Sequence, residues 1–106
     1  AADALAGGIG AGGGADRDVV PLVRIEPDYP MRARQRGIEG WVALQFTITR
    51  AGAVKNAVVV DAYPSSVFNR SAINAVQKWK YNPKIENGRA IERPGVKVVL
   101  DFSMEN

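Results

Sequence analysis

Few residues in this sequence are suited to acid–base or nucleophilic chemistry. It has no His and no Cys, which removes the commonest general base, the thiol nucleophile and the usual Cys/His zinc site. Ser65 and Ser66 have no imidazole partner, and no Ser-x-x-Lys pair exists. Asp61 and Asp101 fall on predicted strands, but strand pairing alone does not bring them together. The sequence therefore predicts a protein that is not an enzyme, with no metal site and no cofactor.

Basic residues beside aromatic ones could support binding to an anionic partner. The net charge is +3, from 14 basic and 11 acidic residues. Basic side chains interleaved with aromatic rings can bind single-stranded nucleic acid, and a basic surface attracts anionic polymers such as peptidoglycan. Because Trp79 falls on an apolar helix stripe, burial in the core is the preferred interpretation. A basic domain that binds peptidoglycan or nucleic acid remains the alternative function. The residues concerned are Arg32, Arg34, Arg36, Lys78, Trp79, Lys80, Tyr81 and Lys84.

The chain divides into a tail and one domain. Its 106 residues suit a single domain. Residues 1–15 are almost all Ala and Gly, which bury little surface and lose much backbone entropy on ordering. We therefore predict a flexible linker or expression remnant at residues 1–20 and the folded domain at residues 21–106. No apolar run approaches the roughly 20 residues needed to span a bilayer, and the chain is expected to be a fragment of a longer protein.

The first half of the domain predicts a short helix and two strands. Pro30 suits a first helical turn and Gly37 suits the position after the last one, so the helix is expected at 30–36. Residues 40–50 alternate between apolar and polar side chains, which is typical of a strand. Gly52 allows a tight turn, and a second strand is expected at 54–63.

The second half predicts a longer helix and a final strand. Residues 67–80 place an apolar stripe on one helical face, formed by Phe68, Ala72, Ala75, Val76 and Trp79. A polar loop is expected at 84–95 and a strand at 96–104. The fold class predicted is α+β: a two-layer domain whose three-stranded antiparallel sheet carries one short and one long helix on one face.

A three-stranded sheet has two edge strands, and the last strand is weakly protected as an edge. It has no internal Pro, and only Lys97 and Asp101 place charges on it. Unpaired backbone groups on such an edge recruit other chains. An extended peptide can add there by main-chain hydrogen bonds, and a second copy can exchange a strand to form a homodimer. Docking and an ordinary edge both remain open on this pattern.

A set of short motifs follows in order over roughly residues 24–104. They are Glu26-Pro27-Asp28-Tyr29-Pro30, Gly37-Ile38-Glu39-Gly40, the strand Trp41 to Thr49, the turn Ala51-Gly52, Ala72 to Val76, Trp79-Lys80-Tyr81-Asn82-Pro83 and the strand Val96 to Phe102. The combination is more specific than any one piece of it, and it resembles the C-terminal domain of the TonB family.

The resemblance implies a periplasmic domain of an energy transducer. The full-length protein would be anchored in the inner membrane by one helix and coupled to the proton-driven ExbB–ExbD motor. The last strand would pair with the TonB box, a short segment of an outer-membrane siderophore or vitamin transporter, and Glu26 would lie close to that segment. The implied partner-binding residues are Glu26, Pro27, Tyr29, Pro30, Val96, Lys97, Val98, Val99, Leu100, Asp101 and Phe102.

Overall fold

The computed structural model describes residues 19–104, and the elements within them follow one another with short connections. All but the last two residues of the linker predicted at 1–20 lie outside the described residues. The elements are α1 (Met31–Arg36), β1 (Gly40–Ile48), β2 (Val54–Tyr63), α2 (Asn69–Val76), β3 (Lys84–Glu86), β4 (Arg89–Ile91) and β5 (Arg93–Phe102).

The main sheet has the order β2-β1-β5, and both pairings of the central strand are antiparallel. Along β1, residues at even positions from Val42 to Ile48 are buried, while those between them are only partly buried. One face of the sheet therefore packs on the core and the other stays open. The predicted α+β class and the three-stranded antiparallel sheet are confirmed.

The core lies between this face and α2. The helix contacts β2 and β1, and every residue of the predicted apolar stripe is buried. Phe68 stacks on Phe102 of β5 with ring centroids 4.3 Å apart, which ties the helix start to the last strand. Such burial stabilises by about 25 cal/mol per Å² of apolar surface. The buried stripe is Phe68, Ala72, Ala75, Val76 and Trp79.

The second helix is shorter than the sequence predicts, because the chain turns after Val76 and Lys80 pairs with other segments. The helix ends at Val76 rather than at Lys80. The N–H of Lys80 donates to the carbonyl of Val23 at 3.0 Å, and its own carbonyl accepts from Val23 and from Leu22. Lys80 also forms a bridge with Ala53. Groups used in these pairings cannot continue a helix.

The loop predicted at 84–95 is a small hairpin instead. β3 and β4 pair antiparallel, with Glu86 opposite Arg89. Asn87 and Gly88 both have positive φ, 53° and 79°, as a two-residue type I′ turn requires. The Asn-Gly pair is a strong hairpin signal inside the segment predicted to be a loop.

The last strand is also displaced relative to its predicted bounds of 96–104, since it runs from Arg93 to Phe102. Gly95 has a φ of 72° and lies where the pairing with β1 shifts register. This irregularity interrupts the strand before Val96, and the part from Val96 onward is regular. β1 likewise ends at Ile48, two residues earlier than predicted.

Tyr81 places a phenolic hydroxyl in the core without a hydrogen-bond partner among residues 19–104. The residue is 3 % exposed, and burial raises its pKa well above its usual value of 10.0. The folded state therefore holds the phenolic proton more tightly than the unfolded state does. The resulting contribution to stability is complete below about pH 10 and is lost as the pH rises further.

Replacing Tyr81 by Phe should therefore reduce the alkaline loss of stability. At pH 7 we expect Tyr81→Phe to be as stable as the parent or more stable, because a buried hydroxyl without a partner costs about 1–3 kcal/mol. Urea denaturation at pH 7 and at about pH 10.5 measures both effects. Tyr63→Phe is the control, since Tyr63 is 67 % exposed. An equal alkaline loss in Tyr81→Phe and the parent would contradict this account.

Candidate functional site

The outer side of β5 is open over the described part of the chain. Within residues 19–104, β5 pairs only with β1 and ends the sheet. No backbone hydrogen bond from a turn, loop or cap of these residues reaches β5. The strand therefore has one side occupied by β1 and a second side available to another strand.

The two edges of the sheet differ in regularity. β5 pairs with β1 over seven consecutive residues, from Val96 to Phe102, without a shift. The opposite edge strand, β2, shifts register twice against β1. Bulges twist an edge and hinder the addition of another strand. Of the two edges, β5 is thus the better template.

The direction of the main-chain groups follows from the end of β1. The N–H of Thr49 donates to the carbonyl of Ala53 at 2.8 Å, so Thr49 turns toward β2. At all three register shifts, two with β2 and one with β5, the extra residue belongs to the partner strand, and β1 itself alternates without interruption. Odd-numbered residues of β1 therefore face β2 and even-numbered ones face β5. A Cβ on Gly40 would lie 2.0 Å from the carbonyl oxygen of Tyr63, which places that carbonyl against β1 as this alternation requires.

The same alternation assigns the two sides of β5. The partners of the even-numbered β1 residues are Val96, Val98, Leu100 and Phe102, and these use their backbone groups to bind β1. Lys97, Val99 and Asp101 consequently turn their N–H and C=O groups outward. Three donors and three acceptors line the open edge, in the pattern that an added strand needs.

Side chains of β5 alternate in the same way. Val96, Leu100 and Phe102 are buried and Val98 is partly buried, whereas Lys97 and Asp101 are exposed and Val99 is partly exposed. The residues with outward backbone groups are therefore those whose side chains lie on the open face of the sheet. Contacts to an incoming strand on that face fall to these three side chains.

Tyr29 joins the segment before α1 to the end of β5. Its ring meets the rings of Phe68 and Phe102 edge-on, with centroids 5.5 Å and 5.9 Å apart, a favoured geometry for aromatic pairs. Its hydroxyl donates to the carbonyl of Ile38. Pro30 follows at the N-cap of α1. Tyr29, a site residue predicted in this segment, thus contacts β5 directly.

Glu26 and Pro27 lie in a different place. The Glu26 carboxylate is 3.9 Å from the guanidinium of Arg24 and its side chain is 82 % exposed. Both residues line a cleft of about 80 Å³ against α2, whose wall includes Asn74 and Lys78. Glu26 and Pro27 therefore lie beside α2, whereas Tyr29 lies against the end of β5.

Trp79 and Tyr81 are core residues. The apolar stripe of the second helix predicts this burial for Trp79. They are 1 % and 3 % exposed. The indole N–H of Trp79 donates to the carbonyl of Ile25 at 2.9 Å, and the Arg24 guanidinium lies 4.9 Å from its ring centroid, a cation–π distance. Neither ring is available to stack on a nucleic-acid base.

Residues 19–104 contain no group of three or more acidic side chains placed to hold a metal ion. Among the same residues, no helix has the length and hydropathy needed to cross a membrane.

Comparison with known proteins identifies relatives over nearly all of the described chain. The model of the family described as Gram-negative bacterial TonB protein C-terminal matches residues 25–104. Protein TonB of Pseudomonas aeruginosa is 36 % identical over 98 residues, which is 92 % of this chain and 28 % of that protein. Protein TonB of Escherichia coli is 40 % identical over 62 residues, or 58 % of this chain and 26 % of that protein.

Two solved structures share the fold. The solution NMR structure of the Pseudomonas aeruginosa TonB CTD has a TM-score of 0.71 and 35 % identity, covering 86 % of this chain and 91 % of the other. TonB2 of Vibrio anguillarum has a TM-score of 0.63 and 46 % identity, covering 89 % of each chain. The chain spans only about a quarter of the length of the two curated relatives, 28 % and 26 %.

Proposed function

Because this chain belongs to the C-terminal family of Gram-negative TonB proteins, we propose that it is the transporter-binding domain of a periplasmic energy transducer. It binds the TonB box of an outer-membrane siderophore or vitamin transporter by adding that segment to β5. The observation that supports this most directly is the regular outer edge of β5, which residues 19–104 leave unpaired.

The hydrogen-bonding groups of this edge suit a complex that resists a brief pull and can still dissociate. A strand added along Lys97, Val99 and Asp101 would engage three N–H and three C=O groups. Each hydrogen bond stabilises by only about 0.5–1.5 kcal/mol net, so no single bond makes the complex permanent. A pull along the strand axis would load these bonds together.

The full-length protein, in this proposal, is anchored in the inner membrane and coupled to the ExbB–ExbD complex. Both assignments rest on family membership and concern regions outside this chain. The domain acts as an adaptor that binds and transmits force without catalysing a reaction. This role agrees with a sequence that has no His and no Cys.

An NMR titration with TonB-box peptide tests strand addition directly. Addition at β5 should shift the amide signals of Lys97, Val99 and Asp101 most, because those N–H groups gain new hydrogen bonds. The amides of Val98 and Leu100, already bonded to β1, should shift less. The ¹⁵N–¹H correlation spectrum of the chain, recorded against increasing peptide, measures both sets.

A peptide of the same sequence with N-methyl groups along its backbone is the matched control, because it cannot donate to the edge. It should bind much more weakly than the parent peptide. Shifts confined to β2 or to the basic helix α1 would overturn the proposal. The same shifts on β5 appearing with protein concentration, without peptide, would instead identify a second copy as the occupant.

A further inference from the structure

The side chains of β5 on the open face of the sheet carry opposite charges in a fixed order along the strand. Lys97, Val99 and Asp101 occupy alternate positions, so a cation and an anion lie four residues apart with an apolar side chain between them. At about 3.4 Å per residue the two charged positions are roughly 13–14 Å apart along the strand. A strand added at this edge would place one of its own side chains beside each of the three.

The neighbours within the described part of the chain leave both charges without an ionic partner. On β1, Lys97 is opposite Gln45 and Asp101 is opposite Trp41. Neither charge takes part in a salt bridge within residues 19–104. The outer side is therefore where an opposite charge could approach each of them across a ladder.

We propose that Lys97 and Asp101 select the incoming strand by its charge pattern. The preferred strand carries an acidic residue beside Lys97, an apolar residue beside Val99 and a basic residue beside Asp101. This inference rests on the proposed strand addition at β5. It adds a statement about sequence preference, since backbone bonds alone accept any strand without Pro.

The charge pair also distinguishes the two directions in which a strand can add. Read from its N-terminus, a strand parallel to β5 matches as acidic-x-apolar-x-basic. An antiparallel strand matches as basic-x-apolar-x-acidic. Two peptides of identical composition and opposite charge order therefore cannot bind equally in one fixed direction.

The test measures affinity for these two isomeric peptides by isothermal titration calorimetry. The parent protein should prefer one of them about fivefold, since opposite cross-strand charges stabilise and like charges destabilise. The double variant K97D/D101K exchanges the two charges and should prefer the other peptide by a similar factor. The preference should shrink at about 1 M salt, where charges are screened beyond roughly 3 Å.

Two further variants complete the design. R50D/D61K also exchanges a basic and an acidic residue, both exposed and both outside β5, and should keep the preference of the parent. K97Q/D101N removes both charges and should bind the two peptides equally, which keeps the inference testable if the exchanged variant folds poorly.

The outcomes separate this inference from the proposal beneath it. If both peptides bind the parent at β5 with equal affinity, or if K97D/D101K keeps the parent's preference, charge selection is wrong and strand addition stands. If the two peptides bind neither the parent nor any variant, both the strand addition of such peptides and the charge selection are wrong.

Discussion

A proline at position 99 should weaken binding of a TonB-box peptide at least about tenfold while the domain stays folded. The N–H of Val99 points away from β1 by the alternation that Thr49 fixes. Proline removes that donor, and its ring occupies the space in which a paired strand must lie. One lost hydrogen bond is about 0.5–1.5 kcal/mol, and an unpaired acceptor left on the peptide adds to it. Fluorescence anisotropy of a labelled peptide measures the change in Kd.

Two matched variants test whether the outward N–H of Val99 is responsible for the loss of binding. Val99→Thr keeps the N–H and the β-branched shape, so it should bind within about twofold of the parent. Val98→Pro removes a donor that faces β1 instead, and it should lower the melting temperature. If Val99→Pro binds as tightly as Val99→Thr, the outward backbone of β5 is not the docking edge.

Replacing Gly52 by Ala should destabilise the domain by about 4 kcal/mol, which belongs to the largest effects of single substitutions. Gly52 has a φ of +87°, and a Cβ built on it would lie 2.1 Å from the carbonyl oxygen of Tyr81. The obstacle is backbone, so it cannot rotate away. The carbonyl of Gly52 also accepts the N–H of Tyr81 at 2.8 Å, and separating the chains to admit a methyl group would break that bond. The free energy of unfolding of a domain of this size is only about 5–15 kcal/mol.

Gly88 supplies the control for backbone strain alone. Its φ of +79° is almost the same, but nothing lies within 4 Å of a Cβ built there. Gly88→Ala should therefore cost only about 1–2 kcal/mol, the penalty of the left-handed conformation. Urea denaturation of the two variants compares them directly. Equal losses would show that crowding against Tyr81 contributes nothing.

Local sequence patterns predicted the elements whose packing against the rest of the domain favours the same conformation. β1 alternates because one of its faces packs on the core, and the same alternation is visible in the sequence from Val42 to Ile48. The first helix ends where Gly37 takes a φ of 69°, as its residue type indicates. The apolar stripe of α2 was predictable for the same reason, since burial repeats with the helical period.

Pairings between distant segments account for the rest. The early end of α2 depends on the hydrogen bonds between Val23 and Lys80 and on the bridge of Lys80 with Ala53, and no pattern within residues 67–80 shows this. Which side of β5 is free depends on the strand order, and which residues turn outward depends on a hydrogen bond at Thr49. The placement of Glu26 against α2 likewise follows from the path of a segment whose apolar residues repeat with neither the helical nor the strand period.

The bridge at Lys80 determines how a mechanical load would cross the domain. In the proposed function, tension arriving through the segment before α1 would first meet the bonds that Leu22 and Val23 make with Lys80, at 2.6 Å, 3.2 Å and 3.0 Å. From Lys80 the path continues through Ala53 into the turn that joins β1 and β2. In the proposed function, a transporter segment bound at β5 would pull from the other side of β1, since β1 lies between β2 and β5. Because the chain also continues covalently from Val23 through α1 into β1, the few hydrogen bonds at Lys80 can break without separating the two ends of the domain.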